Sequence, residues 1–339
     1  MMAAGLFSLE EFFAQLYGDT DTNFNPANSG RLMNNHFASH TLDKDGNWLN
    51  LSDLKNISAD ISPTAGQMPR LLGLALTSKL FRENRNLDQL TQFSVKGNEV
   101  AFGTIGDAST SEGHFFETMN AAAVLKVPLA ISVWDDGYGI SVTRDLQTVK
   151  DSISEALSGF QHTKNSPNGI LIYKAKAWDY ENLIQIYQEG IEKCRNEHIP
   201  VLFHITECTQ PQGHSTSGSH ERYKSQERLE WEKEYDGITK MRKWILENNI
   251  ADEEELSKIE TDADIAVKHA QKAAWSNFQK PISQMKQSLT NIVQISDCHC
   301  EKIARVEEVI NELNRIAEPI RKDVISSAKK ILRYFCHTC

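Results

Sequence analysis

The chain lacks the features that mark membrane, secreted and nucleic-acid-binding proteins. None of its apolar runs approaches the ~18 residues of a membrane-spanning helix. The start, MMAAGLFSLEEFF, has two glutamates and no basic residue, so we do not expect a secretory signal. Positive charge is not in excess, because 36 Lys and Arg against 46 Asp and Glu give a net charge of −10. We therefore expect a cytoplasmic protein that binds neither nucleic acid nor membrane.

Cysteine is scarce, and four of the six cysteines lie near the carboxyl terminus. They form the groups Cys298-His299-Cys300 and Cys336-His337-Thr338-Cys339. Together these groups offer enough thiolate and imidazole ligands for a tetrahedral zinc ion. The C-x-C spacing is unusual for structural zinc, and chain ends tend to be poorly ordered. We favour free cytosolic thiols, with a zinc site as the alternative.

The central part of the chain predicts a strand-helix-strand unit. An apolar run from Glu99 to Ile105 ends in a Gly-Asp turn, and an alanine-rich helical stretch covers Ser111 to Lys126. A second apolar run, Pro128 to Trp134, ends in Asp135-Asp136-Gly137. In such units ligands bind at the carboxyl ends of the strands. The sequence therefore predicts a ligand site beside the acidic residues that follow each strand.

The residue types at these strand ends suit magnesium and a diphosphate. Asp107 and Asp136 can each supply a carboxylate oxygen, and the backbone carbonyl of Tyr138 can supply a third ligand. Two diphosphate oxygens and a water would complete an octahedral shell. The small residues Ala108 and Ser109 let backbone N–H groups approach the diphosphate at a helix start. On spacing alone, an ordinary strand end with a helix cap is the more common explanation of a Gly-Asp turn.

The run GDASTSEGHFFETMNAAAVLKVPLAISVWDDGYGISV, residues 106–142, resembles the thiamine diphosphate fingerprint of one enzyme family. This family is the alpha subunit of the first, decarboxylating component of 2-oxo acid dehydrogenases. The resemblance implies thiamine diphosphate and Mg²⁺ as cofactors, with Gly106, Asp107, Ala108 and Ser109 at the cofactor. It also implies the α/β fold of that family. Alternating strands and helices independently predict a parallel sheet with helices on both faces.

Two upstream segments, GRLMNNHF at 30–37 and ISPTAGQMPRLLGLA at 61–75, also resemble the family. The Ser62-Pro63 start is nearer the branched-chain type than the pyruvate type. By resemblance, Ser62, Thr64 and Gln67 belong to a loop that abuts the cofactor and, in branched-chain enzymes, holds a monovalent cation. The alternative is that this segment only begins an amphipathic helix that runs to about Phe81.

A downstream segment, QGHSTSGSHERYKSQE at 212–227, resembles the active-site loop of the family. The resemblance assigns His214 to catalysis and to contact with the bound intermediate, and it makes Ser215 a possible regulatory phosphorylation site. Tyr223 and Lys224 keep the family's spacing to the histidine. A histidine on a Gly/Ser-rich loop is a mobile, titratable group suited to proton transfer. Without the resemblance, a solvated loop histidine would be the simpler explanation.

The chain departs from the family pattern at several points. Ala108 replaces a glycine, Gly218 replaces an acidic residue, and Asp136 replaces a metal-binding asparagine. An extra carboxylate beside a diphosphate costs binding unless a cation compensates it. The family also has an upstream Tyr-Arg pair that grips the diphosphate, and the first arginine here is Arg31. We therefore expect that the chain is truncated at its amino terminus or receives this arginine from elsewhere.

The resemblance implies decarboxylation of a 2-oxo acid and transfer of the acyl group to a lipoyl arm. The implied partners are the lipoyl-bearing acyltransferase component and a beta part, separate or fused, that supplies the glutamate acting on the cofactor. One alternative is an inactive truncated remnant with only a structural or partner-binding role. The other is a different thiamine diphosphate enzyme, such as a transketolase-like or acetoin-cleaving one.

Patterns along the chain predict three regions. Residues 1–60 are predicted to be irregular, 61–225 to form the cofactor-binding α/β domain, and 226–339 to be helical and to pack on that domain or on a partner. Within the second region we predict helices at 146–160 and 180–196 and strands at 169–174 and 200–206. The third region is charged and carries apolar stripes at helical spacing.

Overall fold

The structure is a computed structural model that describes residues 1–32, 36–59, 61–215, 219–295 and 303–334. Its α-helices are α1 (Leu9–Leu16), α2 (Met68–Glu83), α3 (Gly113–Leu125), α4 (Ile153–Ala156), α5 (Tyr180–Glu197), α6 (Gln226–Glu234), α7 (Gly237–Glu247), α8 (Glu253–Ile295), α9 (Ile303–Arg315) and α10 (Arg321–Tyr334). Its strands are β1 (Ala101–Gly106), β2 (Leu129–Trp134), β3 (Tyr138–Gly139), β4 (Val142–Thr143), β5 (Leu171–Lys176) and β6 (Val201–Thr206). Short 3₁₀ turns lie at Met2–Ala4, Leu51–Asp53, Arg85–Leu87, Ala108–Ser111, Arg144–Leu146, Val149–Asp151, Ser158–Phe160 and Ser219–Arg222.

Among the described residues, four parallel strands form a sheet in the order β1-β2-β6-β5. The register places Gly106 opposite Trp134, so the chain leaves β1 and β2 side by side. β3 and β4 then form a small antiparallel hairpin, with Tyr138 opposite Thr143. The first residues after β1 and β2 are therefore neighbours because of backbone pairing alone.

Alternate residues of the central strands enter two separate cores, one on each face of the sheet. Leu129, Ile131 and Val133 of β2 belong to a core that includes residues of α2 and α3. Ala130 belongs to the second core, where Phe203 of β6 packs with residues of α5. A period of two places successive side chains on opposite faces, and parallel strands covered on both faces are apolar throughout. The predicted α/β fold with helices on both faces is confirmed.

Most of the predicted elements form within about two residues of their expected bounds, the usual uncertainty of element ends. The stretch 146–160 is an exception, because it is not one helix. Lys150 and Asp151 adopt left-handed backbone angles, with φ of 59° and 51°. Ser152 then caps the short helix α4, and its hydroxyl accepts a hydrogen bond from the Glu155 backbone N–H. The backbone reversal at Lys150 interrupts the helix that the apolar spacing predicts.

Region 1–60 is not irregular throughout, since it contains α1. Ser8 and Glu11 form a capping box: the Ser8 hydroxyl accepts from the Glu11 N–H, and the Glu11 carboxylate accepts from the Ser8 N–H. This S-x-x-E pattern before an apolar run is a known helix-start signal. The helix was therefore readable from the sequence, and the prediction missed it.

The chain divides into two compact units. One comprises Met1–Ser39, Ile57–Ala59 and Lys258–Cys339, and the other comprises His40–Asn56 and Asp60–Ser257. The first unit has small apolar cores in its carboxyl-terminal helices, formed by Val306, Val309, Ile310, Ile331, Ile282, Leu313 and Val324. The second contains the sheet and its two cores. The boundaries of these two units differ from those of the three regions that the sequence predicts. The predicted boundaries stay a proposal.

None of the helices formed by the described residues is both long and apolar enough to cross a membrane.

The second core leaves no room for a side chain at Gly190 of α5. A Cβ atom there would lie 2.6 Å from Cζ of the fully buried Phe203 ring. We predict that Gly190→Ala destabilises the protein by about 1–3 kcal/mol, because overpacking outweighs the gain in helix propensity. Gly73→Ala, inside α2, is the matched control, since a Cβ there meets nothing within 4 Å. It should stabilise by about 0.5–1 kcal/mol. Urea unfolding measures both, and equal effects would contradict this packing.

Candidate functional site

Three carboxylates lie where β1 and β2 end. Asp107 follows β1, and Asp135 and Asp136 follow β2; their exposed fractions are 4%, 1% and 8%. The Asp107 N–H donates to the Trp134 carbonyl at 3.2 Å, so the sheet ladder continues one residue beyond the strand. The three side chains are close enough for the charges of Asp135 and Asp136 to act on Asp107. Strand pairing thus concentrates negative charge in a buried place.

Asp107 is the carboxylate with the least compensation. Its Oδ2 atom is buried and has no hydrogen-bond partner within the described part of the chain. Burial, followed by the charges of Asp135 and Asp136, raises the pKa of Asp107 to about 7. An orphaned buried carboxylate oxygen among like charges is an unfavourable arrangement that a bound cation would relieve.

Asp136 has partial compensation. Its carboxylate accepts from the Tyr138 N–H at 3.2 Å. Burial raises the pKa of Asp136, while this bond and the positive charges of Lys224 and Arg228 oppose the rise. The adjacent hairpin lies close to the Asp107 turn, because a Cβ at Gly139 would be only 2.8 Å from Cβ of Ala108. A side chain at position 139 would therefore push the two turns apart.

Asp135 is fully compensated by a buried network that the sequence analysis did not predict. Its Oδ2 accepts from Arg144 Nη1 at 2.7 Å and lies 2.8 Å from His204 Nε2. The other ring nitrogen of His204 lies 2.8 Å from the Ser154 hydroxyl. Burial alone would raise the pKa of Asp135, but the hydrogen bonds and charges of His204 and Arg144 hold it below its usual value. One signal was available: His204 is the only polar residue in the apolar run VLFHI of β6.

A second polar group connects α6 to the hairpin. Lys224 Nζ donates to both carboxylate oxygens of Glu232, at 2.7 and 2.9 Å, and both side chains are almost fully buried. Arg228 donates to Glu232 from Nε at 2.9 Å and to the Asp136 carbonyl from Nη2 at 2.7 Å. Both cations also lie near the Tyr138 ring, 5.1 and 5.4 Å from its centroid. Lys224 was noted in the sequence for its spacing, whereas Arg228 and Glu232 were missed.

The predicted catalytic residue His214 and the possible phosphorylation site Ser215 are both exposed. Gly213 has a φ of +66°, and a Cβ there would be 2.6 Å from Cβ of His220, so this tight turn requires glycine. Tyr223 connects the loop to the carboxylates. Burial and the charge of Asp136 raise the pKa of Tyr223, and a hydrogen bond with the His214 backbone opposes the rise. Residue 218, a departure from the family pattern, lies outside the described residues.

The predicted upstream cofactor loop lies just before α2. Ser62 and Thr64 are exposed, whereas Gln67 is half-buried just before α2. The Oε1 atom of Gln67 is buried and has no hydrogen-bond partner among the described residues. Neither a hydrogen bond nor an ion pair joins these three residues to Asp107 or Asp136 in the part of the chain that the structure describes. A role of this loop at the carboxylates therefore stays a prediction.

The described residues include no group of three or more His, Cys, Asp or Glu side chains arranged to hold a metal ion. The predicted magnesium set differs from such a group, since it has two carboxylates and one backbone carbonyl, with the remaining positions left to diphosphate and water. Asp135 is occupied by Arg144 and His204, which leaves Asp107 and Asp136 as the available pair. Hard oxygen ligands and the orphaned Asp107 oxygen fit a magnesium ion.

The tail cysteines 298, 300, 336 and 339, with their candidate zinc site, lie outside the described residues. Cys194 and Cys208 are free thiols, and burial raises the pKa of each to about 12.

The raised pKa of Asp107 predicts a specific pH dependence in the chain without ligand. The folded state holds this proton more tightly than the unfolded state, so the stability contribution is fully present below about pH 4 and is lost as pH rises through about 7. Asp107→Asn cannot ionise, so its stability relative to wild type should increase between about pH 5 and about pH 8. Urea unfolding across this range tests it, with the exposed Asp145→Asn as control. Parallel curves for Asp107→Asn and wild type would contradict the assignment.

A family model and several curated proteins are similar to this chain, and all of them are dehydrogenase components. The family model described as "Dehydrogenase E1 component" matches residues 1–283. The chain is 27% identical over 281 residues to 2-oxoisovalerate dehydrogenase subunit alpha 1, mitochondrial, of Arabidopsis thaliana, covering 82% of this chain and 51% of the relative. It is 28% identical over 173 residues to the pyruvate dehydrogenase E1 component subunit alpha of Rickettsia bellii, covering 51% and 50%.

A third relative is the 2-oxoisovalerate dehydrogenase subunit alpha of Bacillus subtilis, 25% identical over 230 residues, with 68% of this chain and 58% of the relative covered. The chain thus spans about half the length of the curated relatives it matches. The family model covers far more than half of the chain and includes both strand ends with their carboxylates. The chain belongs to the dehydrogenase E1 component family, and its relatives are alpha subunits of 2-oxo acid dehydrogenases.

Proposed function

We propose that this chain is the alpha part of a 2-oxo acid dehydrogenase and that it binds the magnesium ion and diphosphate of thiamine diphosphate. The observation that carries the proposal is the buried, unpartnered Oδ2 atom of Asp107 beside a second carboxylate, Asp136. A divalent cation would favour the ionised form of both groups and remove the mutual repulsion. Membership in the family supports this choice of cation and cofactor.

Each residue of the site has a proposed role. Asp107 and Asp136 would hold the ion through one carboxylate oxygen each, and Tyr138 would hold it through its backbone carbonyl. The backbone of Gly106, Ala108 and Ser109 would accommodate the diphosphate at the start of the turn that follows β1. When bound, thiamine diphosphate supplies the electron sink for decarboxylation of a 2-oxo acid. The protein binds and orients this group rather than providing the electron sink itself.

His214 is the proposed catalytic residue. Its exposed position in a loop and its backbone contact with Tyr223, near Asp136, are consistent with a side chain that reaches a group bound at the carboxylates. An imidazole can donate or accept a proton near neutral pH, which suits proton transfer at the reacting oxygen. Phosphorylation of the neighbouring Ser215 would add charge to the same exposed loop.

The wider assignments rest on the relatives. Their names refer to 2-oxoisovalerate and pyruvate, so the proposed substrate is a 2-oxo acid of this size class. The proposed partners are a beta part and a lipoyl-bearing acyltransferase component. A monovalent cation at Ser62, Thr64 and Gln67 stays a prediction, and the buried Gln67 oxygen without a partner supports it. The cytoplasmic location also stays a prediction.

The metal assignment predicts different outcomes for the two carboxylates. Asp107→Ala should abolish magnesium-dependent binding of thiamine diphosphate in the enzyme assembled with its beta part. Asp136→Asn should keep the site but weaken magnesium affinity by on the order of tenfold, because an amide oxygen replaces a carboxylate. Calorimetric titration with Mg²⁺ and thiamine diphosphate measures both variants. Unaltered binding in Asp107→Ala, or complete loss in Asp136→Asn, would show that the ligand set is wrong.

The catalytic assignment of His214 predicts a loss of activity without a loss of stability. Since the side chain is exposed, His214→Ala should change the free energy of unfolding by no more than about 0.5 kcal/mol. Acyl transfer in the assembled enzyme should fall by roughly a hundredfold or more, the scale of a lost acid-base group. His162→Ala, which lies outside this loop, is the control for removal of a histidine. Normal turnover of the His214 variant would contradict its catalytic role and favour another role for the loop.

A further inference from the structure

The turn that follows β2 is connected to the end of the loop that carries His214 through Arg228 and Glu232 of α6 and through Lys224. Arg228 donates to the backbone carbonyl of Asp136 at 2.7 Å and to the carboxylate of Glu232 at 2.9 Å. Its guanidinium also lies 4.6 Å from the centroid of the Trp231 ring, so packing as well as hydrogen bonding limits its orientation. The same group therefore contacts the turn between β2 and β3 and the interior of α6.

Glu232 extends this connection to the end of the His214 loop. Its carboxylate, only 2% exposed, accepts two hydrogen bonds from Lys224, which is 1% exposed. The Lys224 backbone N–H donates to the His220 carbonyl at 2.9 Å, which fixes the last turn of the loop. A buried carboxylate needs such partners, because removing one leaves an uncompensated charge. Lys224, Glu232 and Arg228 thus form a continuous chain of charged contacts from the loop to Asp136.

We infer that Arg228 is a positioning residue that couples the Asp136–Gly139 turn to the His214 loop. Arginine suits this task because its planar guanidinium donates from Nε and Nη2 in two fixed directions at once. A lysine at this position would keep the charge but offer one compact ammonium group, which cannot reproduce both bonds. With arginine at position 228, the proposed magnesium ligands and the proposed acid-base group are held in place together rather than separately.

The consequence for ligand binding rests on the proposed function. Arg228 holds the carbonyl of Asp136, and the next peptides lead to Tyr138, the proposed backbone ligand. Residues that orient metal ligands without touching the metal often change metal affinity by roughly 10–100-fold when substituted. Loss of the Arg228 bond should therefore weaken binding of Mg²⁺ with thiamine diphosphate, even though Arg228 is not itself a proposed ligand.

The test combines hydrogen exchange of the ligand-free full chain with a binding titration. In Arg228→Lys, the backbone amides of residues 136–139 and 220–224 should both lose protection, while amides of β2 and β6 keep it. The affinity for Mg²⁺ with thiamine diphosphate, titrated in the enzyme assembled with its beta part, should fall by roughly tenfold or more. Lys233→Gln, an exposed cation on the same helix, is the control and should change neither readout.

The outcomes separate this inference from the proposed function. Loss of protection in only one of the two segments, or in neither, would overturn the coupling, as would a loss spread through β2 and β6. Unchanged affinity in Arg228→Lys, with wild type binding normally, would also overturn it. If the wild-type enzyme fails to bind Mg²⁺ with thiamine diphosphate, the proposed function fails, and the hydrogen-exchange result still decides whether Arg228 joins the two segments.

Discussion

The pairing of β1 with β2 is the constraint on which the candidate site depends. Because Gly106 lies opposite Trp134, the residues that follow each strand must leave the sheet together. Those residues are Asp107, Asp135 and Asp136. The register of β1 with β2 therefore brings three buried carboxylates close together. Like charges at low exposure are costly unless cations compensate them. The rest of the site can be understood as the compensation of this charge.

The negative charges of the three carboxylates are compensated to different degrees, and this difference supports the proposed metal site. Asp135 has Arg144 and His204, and its pKa is lowered. Asp136 accepts one hydrogen bond, from the Tyr138 N–H, and the charges of Lys224 and Arg228 also lower its pKa, but burial outweighs them and its pKa is raised. Asp107 has an oxygen without any partner among the described residues. The two carboxylates that lack such partners are therefore the ones that a cation from solution would stabilise.

Much of the fold could be predicted from the sequence, because the central strands are buried on both faces and read as largely apolar runs. Residues 128–134 and 200–206 are of this kind. The helix predicted at 146–160 failed because its interruption depends on left-handed backbone angles at Lys150 and Asp151, which apolar spacing does not encode. Helix α1 was missed although its Ser8 and Glu11 capping box was present in the sequence.

Site residues could be predicted from the sequence only where a local pattern, such as the end of a strand, marks them. Asp107 and Asp136 follow strands, so their proximity comes from local patterns and one pairing rule. The contacts of Asp135 with His204, and of Arg228 with the Asp136 carbonyl, join residues far apart in the chain. A single sequence does not reveal such pairs, because they depend on the tertiary packing of β6 and α6. The family resemblance indicated the candidate site, and the structure supplied its charge balance.

The central claim is that Asp107 gives up a proton when a cation binds. Calorimetric titration of the assembled enzyme with Mg²⁺ and thiamine diphosphate at about pH 7, repeated in buffers of different ionisation enthalpy, measures the protons released on binding. With the pKa of Asp107 at about 7, the account predicts release of about half a proton from this group, and none from it in the Asp107→Asn variant. Binding with the same proton release in wild type and variant would contradict the account.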